Sequence, residues 1–143
     1  MKFTIAATAL TAFLATSAFA NGTLGAGFFN EWDIVGDGQV TVEDVASRRS
    51  DIFVSFDADD NGILDAGEYA FFDEARVTSH EGKPKPGGGN RKAAVGMTLA
   101  FNDVNGDGSV TLEEFVGQSA AWLALLDLNG DGVVMADDFG PNL

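Results

Sequence analysis

Four acidic twelve-residue segments constrain this chain more than any other feature, because they come in two pairs whose starts lie only 24 residues apart. They begin at Asp33 and Asp57, then at Asp103 and Asp127, and read DIVGDGQVTVED, DADDNGILDAGE, DVNGDGSVTLEE and DLNGDGVVMADD. Each alternates acidic or amide side chains with spacers. Each has glycine sixth (Gly38, Gly62, Gly108, Gly132) and an apolar residue eighth (Val40, Leu64, Val110, Val134). Glycine permits the positive φ of a sharp turn. A hard cation takes six to eight oxygens at about 2.3–2.6 Å, and a chain that alternates ligand and spacer can wrap around one. One Asp-rich turn is an ordinary solvated loop, whereas four in register point to metal.

The spacing leaves twelve residues between neighbouring loops, VASRRSDIFVSF (45–56) and FVGQSAAWLALL (115–126). Each must be both the helix leaving one loop and the helix entering the next. Val45, Ile52, Phe53 and Phe56 recur at helical spacing, as do Phe115, Ala120, Trp122, Leu123 and Leu126, and these form the expected core. A twelve-residue helix is about 18 Å long, so it holds its two loops at opposite ends. Neighbouring loops cannot easily lie side by side. The expected pairing is between the halves, 33–44 beside 127–138 and 57–68 beside 103–114, with the crossed pairing or a dimer as alternatives.

The four segments resemble the loops of the EF-hand family, in which positions 1, 3, 5, 7, 9 and 12 supply oxygens to Ca2+. The resemblance implies an all-α fold of helix-loop-helix repeats, in two short-spaced pairs that each share a helix. It implies as ligands Asp57, Asp59, Asn61, Ile63, Asp65 and Glu68 in the second loop. In the third they are Asp103, Asn105, Asp107, Ser109, Thr111 and Glu114, the seventh position acting through its backbone carbonyl. The fourth loop offers Asp127, Asn129, Asp131, Val133 and Asp138, closing on a side chain one methylene shorter than Glu. The first offers Asp33, Asp37, Gln39 and Asp44 but has Val35 where a ligand belongs, so weak binding is expected there. The compressed spacing is similar to that of the lanmodulins, exported bacterial four-EF-hand proteins that bind lanthanides. This chain lacks their proline at the second position (Ile34, Ala58, Val104, Leu128) and matches their ninth-position Asp only at Asp65. DVNGDGSVT and DLNGDGVVM also resemble dockerin repeats, which use Ca2+ to build a docking surface for a protein partner.

Residues 1–20, MKFTIAATALTAFLATSAFA, have the lysine, short apolar run and Ala-Phe-Ala end of a secretory signal peptide, with cleavage expected after Ala20. The apolar run is short for the roughly 20 residues of a membrane span, so no span is expected after cleavage. A periplasmic or secreted protein follows. With 22 acidic against 8 basic residues and a net charge of −14, the chain excludes the basic patch a nucleic acid requires. It has no cysteine and one histidine, His80, read as exposed and incidental. Without disulfides, bound cations are the expected stabiliser. Residues 77–96, VTSHEGKPKPGGGNRKAAVG, read as a flexible linker between one loop pair in 21–76 and another in 97–143. No nucleophile-base set or phosphate loop is present, so no enzyme is expected. The expected function is Ca2+ binding as buffer or sensor, with Mg2+ or a lanthanide as other cations. The alternatives are a lanmodulin-like lanthanide binder and a metal-rigidified docking module.

Overall fold

The structure, a computed structural model, describes residues 25–80 and 88–139; the expected signal peptide and residues 81–87 lie outside the described residues. The fold is all-α apart from one two-stranded sheet. Helix α1 (Ala26–Trp32) leads into the first loop, and α2 (Val42–Phe56) joins the first loop to the second. Strand β1 (Ile63–Leu64) lies in the second loop and α3 (Ala66–His80) leaves it. The second half contains α4 (Gly88–Val95), α5 (Leu99–Asn102), β2 (Val110–Thr111), α6 (Leu112–Gly117), α7 (Ser119–Leu126) and a 3₁₀ turn over Ala136–Phe139.

Helix α2 is the expected shared helix. Thr41 caps it by accepting the Asp44 N–H while Asp44 accepts the Thr41 N–H, a reciprocal capping box. It ends where the backbone N–H of Asp57, first residue of the second loop, bonds Phe53. Its counterpart over 115–126 is not continuous. Gln118 (φ −79°, ψ 2°) separates α6 from α7, next to Gly117, a poor helix former. The Ser119 hydroxyl bonds the Val116 carbonyl at 2.6 Å, a local competitor of the helical ladder. The break leaves the Phe115 carbonyl to another donor, the Nε of Arg49 at 2.7 Å.

The loops pair between the halves. Ile63 faces Thr111 and Leu64 faces Val110 in an antiparallel register, and Val40 and Val134 form an antiparallel bridge through two hydrogen bonds. All four eighth-position side chains are at most 1 % exposed. Neither the crossed pairing nor a second copy is needed to satisfy them. Between the bridges runs an aromatic core, with Trp32 against Trp122 at 4.3 Å between ring centroids and Phe53 against Phe115 at 6.0 Å.

Two sequence expectations are corrected. Ala120 is exposed and Ser119 is buried in its place, because Phe115, Ser119, Trp122, Leu123 and Leu126 lie at i, i+4, i+7, i+8 and i+11, one helical face that position 120 does not share. The stretch 77–96 is not coil throughout, since α3 continues to His80 and α4 occupies Gly88–Val95. Packing overrides propensity there. The indole Nε1 of Trp122 donates to the Ala93 carbonyl at 3.0 Å, and Met97 is buried.

Candidate metal centres

Each loop is organised by its first aspartate, which sits at the C-cap of the preceding helix. One carboxylate oxygen of that residue accepts the N–H of the sixth-position glycine. The distances are 2.8 Å from Gly38 to Asp33, 2.8 Å from Gly62 to Asp57, 2.9 Å from Gly108 to Asp103 and 2.8 Å from Gly132 to Asp127. The other oxygen takes amides of the fourth and fifth positions in the first, third and fourth loops (Gly36 and Asp37, Gly106 and Asp107, Gly130 and Asp131), and of Asn61 in the second. Third- and fifth-position side chains repeat the device. Asn105 accepts from Asp107, Asn129 from Asp131, and Asp107 and Asp131 from the seventh-position amides of Ser109 and Val133. In the second loop Asp59 accepts from Asn61 and Asn61 from Ile63; in the first, Asp37 accepts from Gln39. A carboxylate oxygen has more than one lone pair, so these bonds orient the side chains and leave acceptor capacity.

The twelfth residue distinguishes the loops. Glu68 reaches back to the Ala58 N–H at 2.8 Å, and Glu114 to the Asn105 N–H at 3.3 Å. Asp138 reaches the Leu128 and Asn129 amides at 2.8 and 3.3 Å. It does so despite its short side chain because the fourth loop has Met135 at the ninth position, with no side-chain cap, and continues as a tight 3₁₀ turn. Asp44, equally short but on a capped α-helix, bonds only the amide and hydroxyl of Thr41. The first loop is therefore not closed by its last residue. In the third loop the Thr111 backbone N–H, bonded to Glu114, holds that carboxyl below its usual range.

In the second loop Asp57, Asp59 and Glu68 bring three carboxylate oxygens within 4.8 Å of one another. Asp65 stands apart from this cluster: its carboxylate accepts the Gly67 and Glu68 amides and caps α3. Among the described residues the one salt bridge, Arg76–Asp73, lies outside the loops. Among the described residues, loop carboxylates are thus gathered with no basic side chain in a salt bridge to them, and the side chains that converge offer oxygens. That donor set fits a hard cation and not a soft one.

Sequence reasoning missed a buried polar cluster between these loops. Arg49, Asn102 and Tyr69 are each at most 1 % exposed. Asn102 is bonded to the Tyr69 hydroxyl and to the Arg49 guanidinium. Burial lowers Arg49 to about 10, still protonated at neutral pH, and raises Tyr69 to about 12. The one signal in the sequence is helical phase, since Arg49 shares a face with Val45, Ile52 and Phe53.

No curated protein and no solved structure matches the chain. Residues 100–116, which hold the third loop, match the family model described as EF hand, a likeness that suggests calcium binding.

Proposed function

We propose that the chain is an exported, non-enzymatic Ca2+-binding protein that acts as a buffer or sensor through three closed loops and one open one. The observation that carries this reading is the Asp57–Asp59–Glu68 cluster, three carboxylates drawn together with no basic partner among the described residues. Like charges at such separation repel, and a divalent cation would relieve that. In the second loop the cation would be held by Asp57, Asp59, Asn61, Glu68 and the Ile63 carbonyl, with Asp65 capping the helix beside it. In the third the holders would be Asp103, Asn105, Asp107, Glu114 and the Ser109 carbonyl, with Thr111 orienting Glu114. In the fourth, Asp127, Asn129, Asp131, Asp138 and the Val133 carbonyl play those parts. The first loop, with Val35 in place of an oxygen and Asp44 turned to its helix, contributes chiefly by pairing Val40 with Val134. Export rests on the signal-like first twenty residues. No described helix is long and apolar enough to cross a membrane.

Calorimetric titration of the chain lacking residues 1–20 with Ca2+, Mg2+ and La3+ tests the reading. Saturable Ca2+ binding at about three sites, with affinities at or tighter than the roughly 10⁻⁴–10⁻³ M of extracellular modules, is expected. Absence of Ca2+ heat together with an unchanged spectrum in chelator would overturn it. A cation-dependent rise in binding of an apolar dye separates sensor from buffer.

A further inference from the structure

A buried guanidinium without a carboxylate partner is costly, and an aliphatic side chain would fill the same space at less expense. Arg49, 0 % exposed and with no carboxylate partner among the described residues, is such a group. Its Nε donates to the Phe115 carbonyl at 2.7 Å, one terminal nitrogen to the Gly96 carbonyl at 3.1 Å, and the other to Asn102 Oδ1. Its Cζ lies over the Phe115 ring, 4.2 Å from the ring centroid. The chain positions of these partners carry the argument. Asn102 immediately precedes Asp103, the first residue of the third loop, and Phe115 immediately follows Glu114, the last. One side chain therefore grips both ends of that loop. The Asn102 amide donates onward to the Tyr69 hydroxyl at 2.9 Å, and Tyr69 immediately follows Glu68, which closes the second loop. Arg49 itself stands on α2, whose two ends are the first and second loops.

We propose that Arg49 is a positioning residue that fixes the separation of the two ends of the third loop, making that loop's cation affinity depend on the helix between the first two. The proposal rests on the cation-binding reading above. A forked, planar donor is required because Phe115 and Asn102 lie on different elements; a lysine ammonium is a point charge and cannot present the same fork. The Phe115 carbonyl is available because the ladder is broken at Gln118. Helix break and buried arginine are thus one device.

The sixth-position glycine amides, each bonded to the first aspartate of its loop, report on the loops separately by two-dimensional amide NMR during Ca2+ titration of the full chain. In Arg49→Lys the Ca2+ midpoint of Gly108 should rise about tenfold, the equilibrium equivalent of one charge-assisted hydrogen bond. Gly132 should hold its midpoint, and Gly62 should rise less than Gly108 through the β1–β2 pair. Asn102→Ala should act on Gly108 in the same direction, and the double variant should cost no more than the larger single, since both cut one tie. If Arg49→Lys does not fold, Asn102→Ala decides by the same criterion. Parallel movement of all responding glycines, or a Gly108 midpoint held within about twofold, overturns the proposal. If Ca2+ moves no glycine amide in the unaltered chain, the cation-binding reading itself falls and the proposal with it.

Discussion

Gly96→Ala should be one of the most damaging single-methyl additions to this molecule, although it lies in a stretch whose composition reads as linker. Gly96 needs no positive φ, so the backbone tolerates alanine. Space is the obstacle. A Cβ at Gly96 would stand 1.6 Å from Cδ1 and 2.1 Å from Nε1 of Trp122, so the indole must move. That indole is 1 % exposed, contacts Trp32 at 4.3 Å and donates to Ala93. Overpacking costs about 1–3 kcal/mol, and a buried N–H deprived of its acceptor costs about 1–3 kcal/mol more. The expected loss is about 4 kcal/mol, a large share of the roughly 5–15 kcal/mol a domain has. Urea denaturation followed by tryptophan fluorescence measures it, with an unchanged slope required to assign the loss to stability. Gly117→Ala is the control, because nothing lies within 4 Å of a Cβ there, and it should not destabilise but gain up to about 1 kcal/mol from alanine's better helix propensity. A Gly96→Ala loss below about 1 kcal/mol would show that Trp122 can shift without penalty, and the steric reasoning would be wrong.

The remaining predictions follow from the loops and from the buried cluster. Glu68→Ala should remove the tightest Ca2+ phase, whereas Asp33→Ala should leave the isotherm nearly unchanged; the reverse order in calorimetry would show that pairing and not closure sets affinity. Asp60 (φ 56°) is the one described non-glycine with positive φ, at the position where the other loops have Gly36, Gly106 and Gly130. Asp60→Gly relieves left-handed strain of about 1 kcal/mol and removes a charge, so it should raise the melting temperature in chelator; a fall would reveal a contact made by the aspartate. Tyr69 is the only tyrosine and burial raises it to about 12, so phenolate absorbance should appear near that pH. Because its folded value is raised, its contribution is full below the unfolded value of about 10 and lost as pH rises toward 12, together with helical circular dichroism. A phenolate forming near pH 10 in the folded chain would contradict its burial.

The parts of the fold readable in the sequence are those set by local rules. The sixth glycines, the apolar eighth positions and the twelve-residue spacers together imply that neighbouring loops face apart, and Leu64–Val110 and Val40–Val134 meet as that geometry demands. Side chains serving two purposes were less legible. Asp65 counts as a ligand by position yet caps α3, and Asp44 does the same for α2 without closing its loop. The short Asp138 closes its loop because Met135 cannot cap a helix, a consequence of two residues and not one. Helix α4 was hidden because its order derives from Trp122 and Met97, not from GGNRKAAV itself. Arg49 was hidden most deeply: the carbonyls that satisfy it belong to Gly96 and Phe115, 47 and 66 residues away in sequence.

The cross-pairing of the loops also determines how the chain can be divided. A cut between residues 80 and 88 would give two fragments that are not miniature copies of the whole. One keeps Val40 and β1 and the other keeps β2 and Val134, so each carries one edge of both pairs and neither can complete one. Such fragments are complements, as two halves of a zip are, and their reunion would require both loop pairs to close at once. The same topology orders events during synthesis. Val134 must emerge before Val40 has its partner, so the first half waits, incompletely folded, for a residue 94 positions (134 − 40) further along the chain. Long-range closure of this kind is slow.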